Sequence, residues 1–307
     1  MTPAPDGLAT SMRAPLHDAT VAATGPRGVR NNFAVAESGH PLNAVVVDKV
    51  EVAPGLVVLR VAADGWRLPE FTPGQFAVLG LPPEAPRCAG ADPEEERPNP
   101  RWMIRRAYSI ASSSMVREYF EFYINLIRSG ELTPRLFALD PGDRIWLGPK
   151  VAGAFTLDEA RPDSHLVLVA TGTGLAPYMS MLRTMLAAAD GRRIAVLLGA
   201  RHTWDLGYHA ELIDMERQHS GFSYLPTISR TAGEVRPWRG RVGHVLDVWR
   251  DGAIGHAWGF SPAPQSTSVF LCGNPRMIDD MSALLAGEGY REHSRRSPGE
   301  VFVERYW

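Results

Sequence analysis

The sequence predicts an antiparallel β-barrel followed by an α/β domain whose parallel sheet is flanked by helices. Three observations carry this expectation. From Leu42 the chain runs in short β-branched stretches separated by Pro-Gly turns, as antiparallel strands do. Beyond about Arg161, apolar strands alternate with helix-period segments, the signature of βαβ units. A chain of 307 residues is also longer than one compact core usually organises, which makes two domains the natural division.

Composition narrows the function classes. A formal charge of -2 gives no whole-molecule attraction to nucleic acid or to an anionic membrane, so any electrostatic partner site must be local. Two cysteines, Cys88 and Cys272, cannot supply the thiolate set of an iron–sulfur cluster or a structural zinc. So few thiols suit a reducing, cytoplasmic setting, and no apolar run is long enough to span a bilayer. Residues 1–41 lack the continuous apolar core of a secretory signal, and Asp6 and Asp18 count against an organelle presequence. They are expected to form an N-terminal extension, partly mobile.

In the barrel, expected over residues 42–160, the candidate strands are NAVVVDKVEV, LVVLRVAA, QFAVLGL, RAYSIAS, EYFEFYINLI and DRIWLGPK. The segment PPEAPRCAGADPEEERPNP is too rich in proline and charge for a core and reads as a surface loop, with Cys88 a bystander in it. In the α/β domain, expected over 161–307, the strands are HLVLVA, RIAVLLGA, FSYLPTIS and SVFLCG. The helices are APYMSMLRTMLAAA, DLGYHAELIDMERQH and PRMIDDMSALLAGEG.

Strand HLVLVA runs directly into Thr171-Gly172-Thr173-Gly174 and then into a helix with Pro177 in its first turn. Glycines allow a sharp turn and close approach of a ligand, while free amides and the helix dipole attract a diphosphate. Pro177 stands where the usual dinucleotide fingerprint has a third glycine, and taken alone the stretch is weak evidence, with an ordinary tight turn as the alternative. Downstream, Arg201, Ser229 and Arg230 each follow a predicted strand, and Arg241 comes soon after. Ligands of open α/β sheets sit at the carboxyl ends of strands, so these residues should share one rim. Arginines there suit the phosphate monoester of NADP(H); solvated surface charge is the alternative for any one of them.

The arginine-tyrosine-serine strand RRAYSIAS, the Gly-Thr-Gly turn and Cys272-Gly273-Asn274-Pro275 occur in that order, together with GELTPRLFALDPGD and the ending RRSPGEVFVERYW. In this the chain resembles the ferredoxin–NADP(+) reductase family, bacterial flavodoxin/ferredoxin reductase type, from about Leu42 onward. The resemblance implies an FAD-binding barrel and an NADP(H)-binding α/β domain, with flavin and nicotinamide meeting between them. It implies that Arg106 reaches the FAD diphosphate, Tyr108 lies on the isoalloxazine and Ser109 hydrogen-bonds near flavin N5, with Ala107 in the same motif. Gly130, Leu132 and Thr133 would turn a helix start toward the diphosphate, and Thr133 also reads as an N-cap before Pro134. Cys272 would sit beside the nicotinamide, and Glu304 near the flavin edge. Tyr306 would cover the flavin face opposite Tyr108, with Trp307 extending toward the adenine. Ser109, Cys272, Glu304 and Tyr306 are thus the candidate catalytic residues.

The implied partner is ferredoxin or flavodoxin, and arginines in RWMIRR and REHSRR, Arg105 and Arg295 among them, are candidates for a local basic dock. Two rivals remain open at this point, the reductase component of an oxygenase system and a non-catalytic redox sensor. The lack of a cysteine set for a fused ferredoxin favours a stand-alone reductase over the first.

Overall fold

The computed structural model describes residues 42–95, 98–99, 102–186 and 191–305. β1 (Ala44–Ala53) and β2 (Leu56–Ala63) pair antiparallel around the turn at Gly55, whose φ of 78° is reached at little cost without a side chain. β3 (Phe76–Leu81), β4 (Ile104–Ser109), β5 (Phe120–Asn125) and β6 (Arg144–Leu147) complete an antiparallel sheet in the order β4-β3-β6-β1-β2-β5. The sheet curls until its two ends meet, with Ile110 bridging Phe122 and the Ala111 amide donating to the Glu121 carbonyl at 2.7 Å. Closure removes the exposed edges that an open antiparallel sheet would leave.

The second half is a parallel sheet in the order β10-β9-β8-β7-β11-β12. Its strands are β7 (His165–Thr171), β8 (Ile194–Ala200), β9 (Phe222–Ile228), β10 (Arg241–Val242), β11 (Thr267–Cys272) and β12 (Val301–Glu304). β7, β8 and β11 read as near-continuous apolar runs because helices cover both faces. α2 (Ala176–Met185) and α3 (His209–Gln218) lie with the core cluster on one face; α4 (Val245–Arg250), α5 (Ala253–Trp258) and α6 (Pro275–Gly287) cover the other. The strand order reverses between β7 and β11, and an open α/β sheet presents its ligand crevice at that switch point.

The barrel and the α/β half share a core. On β5, Phe120, Phe122 and Ile124 point into the barrel, while Glu121 and Tyr123 point the other way, and Tyr123 packs with Leu56, Val58, Tyr178 and Leu206. Period-2 alternation thus divides one strand between two interiors.

Several expectations are corrected in detail. The helix read from Asp205 begins at His209, because Tyr208 before it takes a left-handed backbone (φ 54°) that an α-helix cannot include. Thr133 is not an N-cap: it is the first residue of α1 (Thr133–Phe137), and its hydroxyl is bonded to the Ile127 amide and carbonyl at 3.0 Å. The loop after β3 lies mostly at the surface, as expected, but it is pinned there. Glu94 accepts from Arg135 and Arg87, pinning the loop to the start of α1, and Cys88 donates its amide to the Pro134 carbonyl. α4, α5, β10 and β12 were not expected from the sequence, being too short to show a period.

Candidate active site at the seam of the two sheets

Three side chains from distant parts of the chain converge where the barrel meets the switch point. Ser109 ends β4, Cys272 ends β11 and Glu304 ends β12. β11 and β12 run parallel in register, which puts Cys272 directly beside Glu304. The Ser109 hydroxyl donates to Glu304 Oε2 at 3.4 Å, and the Cys272 thiol lies 3.8 Å from the same oxygen. No cation pairs with this carboxylate in the described structure. Burial therefore dominates, pushing its pKa up to about 7, while the thiol and hydroxyl hydrogen bonds pull weakly the other way. A carboxyl poised there can hold or release a proton near neutral pH.

The rest of β4 presents the remaining barrel residues by alternation. Tyr108 packs partly on the barrel core, its ring edge-on to Phe122 at 6.4 Å, and burial raises its phenol well above the ordinary value, so it stays neutral. Arg106 is exposed, and its guanidinium meets Glu131 at 2.5 Å. That contact brings Arg106 against the segment holding Gly130, Leu132 and Thr133, two sequence-distant groups expected to serve one diphosphate. Arg105 points elsewhere, stacked over Trp146 at 4.2 Å.

Across the seam the glycine turn interlocks with the end of β11. A Cβ on Gly174 would overlap the Cys272 carbonyl, and one on Gly273 would overlap Thr171. The Thr171 hydroxyl accepts from the Asn274 amide at 2.7 Å, while the Asn274 side chain caps α6 by accepting from the Arg276 amide at 2.9 Å. Beside Gly172 (φ 55°) the space is open, so the backbone there is reachable by a ligand. Thr173 continues the same tight turn. These features fit a pyrophosphate at the switch point. On the rim, the Arg230 amide donates to the Arg201 carbonyl at 2.9 Å and the Ser229 hydroxyl to the Ala200 carbonyl at 3.4 Å. Arg201, Arg230 and Arg241 are all exposed, and Arg201 is held lightly by Asp205 at 3.2 Å. Tyr306 and Trp307 lie outside the described residues.

Sequence reasoning missed Glu131 as the partner of Arg106, and it missed Glu121, Arg183 and Tyr208, which bind the two halves together. A signal existed for two of them. Arg183 interrupts the apolar run YMSMLRTMLAAA, and Glu121 interrupts the aromatic run YFEFY.

Fold and site define a two-part protein in which a closed antiparallel barrel faces the ligand crevice of an open α/β sheet. A family model described as "Oxidoreductase NAD-binding domain" matches residues 168–283. The flavodoxin/ferredoxin–NADP reductase of Shigella flexneri is 31% identical over 238 residues, covering 77% of this chain and 88% of that protein. A ferredoxin NADP+ reductase from Neisseria gonorrhoeae, solved with bound FAD and NADP, superposes with a TM-score of 0.70 at 23% identity, covering 86% of this chain and 98% of its own. An Amycolatopsis cytochrome P450 reductase shares the fold at a TM-score of 0.65 and 26% identity, covering 87% of this chain and 71% of its own. The chain belongs to the ferredoxin–NADP reductase family.

Proposed function

We propose that this chain is an FAD-dependent reductase that moves electrons between NADP(H) and a ferredoxin or flavodoxin. Residues 42–160 serve as the flavin domain, 161–307 as the NADP(H) domain and 1–41 as an extension. The observation that carries this reading is the convergence of Ser109, Cys272 and Glu304 at the carboxyl ends of β4, β11 and β12, on the seam between the two sheets. FAD, when bound, supplies the chemistry that converts a two-electron hydride into single electrons.

The chain's own residues bind, orient and handle protons. Arg106, with Gly130, Leu132 and Thr133, grips the flavin diphosphate, so Glu131 must yield the guanidinium to it. Tyr108 and Ala107 would offer the ring its barrel-side surface; by the family resemblance Tyr306 would cover the opposite face and Trp307 would extend toward the adenine. Thr171, Gly172, Thr173 and Gly174 hold the pyrophosphate of the dinucleotide; Arg201, Ser229, Arg230 and Arg241 hold its 2′-phosphate. Cys272 shapes the nicotinamide site. Glu304, neutral below about pH 7 and charged above it, holds or passes a proton at its Oε2, steadied by Ser109.

No described helix is long and apolar enough to cross a membrane. The proposed place of work is the cytoplasm, whose reducing conditions suit a chain with two cysteines. Exposed Arg295 and half-buried Arg105 are the proposed dock for an acidic carrier protein.

The test is NADPH-driven reduction of a dye and, separately, of a ferredoxin and a flavodoxin. The proposal expects all three, with carrier reduction falling as salt rises and NADH far less efficient than NADPH. Arg201→Ala and Arg230→Ala should each narrow the NADPH-over-NADH preference by about tenfold, the worth of a charge-assisted phosphate contact. Dye reduction without reduction of either carrier would assign the chain to another electron acceptor.

A further inference from the structure

We propose that Glu121, Arg183 and Tyr208 form a positioning lock that holds the Ser109 end of the barrel against the glycine turn, and so governs the rate of hydride transfer. The proposal rests on the reductase reading above.

The lock is a cluster of directed bonds across the seam. Arg183 Nη1 donates to Glu121 Oε1 at 2.6 Å and to the Ala111 carbonyl at 2.8 Å. Its Nε and Nη2 grip the Glu211 carboxylate in bidentate fashion at 2.6 and 2.7 Å. The Tyr208 hydroxyl donates to Glu121 Oε1 at 2.8 Å, and Arg60 Nε donates to Glu121 Oε2 at 2.8 Å. The Arg183 guanidinium also lies over the Tyr208 ring, 5.0 Å from its centroid. One residue on, Thr184 Oγ1 meets the Ser113 hydroxyl and the Ser114 amide, both at 3.1 Å.

Both ends of the cluster lead straight to the site. On the barrel side, Arg183 seizes the carbonyl of Ala111, two residues beyond Ser109. The Ala111 amide is itself bonded to the Glu121 backbone where the barrel closes. On the nucleotide side, Arg183 belongs to α2, which starts from the Gly-Thr-Gly turn with no intervening loop. A rotation of one half against the other would have to break these bonds before moving Cys272 away from Ser109.

Two features argue for geometry rather than adhesion. The surroundings are apolar, with Tyr123, Leu56, Val58 and Leu206 in one packed cluster, and an apolar filling of such a site is often no less stable than buried ions. Apolar contact does not fix an angle, whereas a bidentate guanidinium does. Tyr208 is moreover the one non-glycine residue with positive φ among those described, a costly backbone state that puts its hydroxyl on Glu121.

The experiment uses the full-length, FAD-loaded protein in rapid mixing with saturating NADPH under anaerobic conditions. Two variants are compared with the wild type: the double substitution Glu121→Leu with Arg183→Met, which removes the buried carboxylate and its half-buried partner together, and Tyr208→Phe, which keeps the ring. For the double variant the limiting rate of flavin reduction should fall by at least about tenfold, as expected when reacting groups lose their alignment, with NADP+ affinity and flavin content unchanged. For Tyr208→Phe the fall should be about two- to fivefold, the worth of one hydrogen bond, and this variant decides the matter if the double one does not fold. Wild-type limiting rates in the folded variants, or a loss traced wholly to lost flavin or weaker NADP+ binding, would overturn the lock while leaving the reductase reading intact. Failure of NADPH to reduce the wild-type flavin would instead overturn the reductase reading and the lock with it.

Discussion

The seam between the two sheets holds two shielded carboxylates in opposite electrostatic states. Glu121 is almost wholly buried. Burial alone would raise its pKa, yet Arg183, Arg60 and the Tyr208 hydroxyl together hold it below the usual carboxylate range. Glu304 is half-buried and has a hydroxyl and a thiol instead of cations, and burial pushes its pKa up to about 7. The difference lies in the neighbours. A buried carboxyl with guanidiniums is a permanent anion suited to holding parts in place, and one without them is a proton carrier. One interface thus supplies both alignment and acid–base chemistry, using the same side-chain type twice.

The largest effect that would break this contrast is on stability. Glu121→Ala should cost about 1–3 kcal/mol at neutral pH, measured by urea unfolding, because it removes at one stroke the acceptor shared by Arg60, Arg183 and Tyr208, leaving Arg183 with Glu211 alone. Glu304→Ala should cost far less, since it strands no cation. Equal losses would erase the distinction.

The pH dependences should also run in opposite directions. The Glu121 pKa is depressed on folding, so its contribution is present above the ordinary carboxylate value of 4.5 and is lost as pH falls through the folded value. The Glu304 pKa is raised, so its neutral form is the one the fold favours. Its contribution is full below 4.5 and is lost as pH rises through about 7. Thermal melts across pH should therefore show Glu121→Gln flattening the acid side and Glu304→Gln flattening the stretch up to neutrality. In the pH profile of carrier reduction, Glu304→Gln should remove a step near 7 that Glu121→Gln leaves in place. The smallest effect sharpens the assignment. Ser109→Ala or Cys272→Ala removes a hydrogen bond that favours the charged form, and should move that step upward by a few tenths of a pH unit. A downward move would contradict the geometry.

Local patterns were legible in the sequence. The strands of both halves follow from β-branched runs and turn residues, and the Gly-Thr-Gly turn lies at the switch point where its chemistry is useful. Ser109, Cys272 and Glu304 were singled out by the family resemblance, and the structure brings the Ser109 hydroxyl and the Cys272 thiol within hydrogen-bonding reach of one Glu304 oxygen. What stayed hidden was non-local or short. The Thr133 hydroxyl turns back to Ile127 instead of capping, a choice set by the loop before α1. Glu94 sits in a segment that composition marks as solvent-facing, yet it pairs with Arg135, whose side chain is only 2% exposed. The pairing of Glu121 with Arg183 spans 62 positions and depends on how the two sheets meet. A β12 of four residues gains its identity from register with β11 and shows no period of its own.

The most direct test of the account is an anaerobic titration of the purified, FAD-supplemented protein with NADPH, followed by its visible absorbance. The account predicts a yellow protein with one flavin per chain whose colour bleaches on a stoichiometric addition of NADPH. A protein that takes up no flavin, or whose bound flavin stays oxidised in excess NADPH, would contradict it.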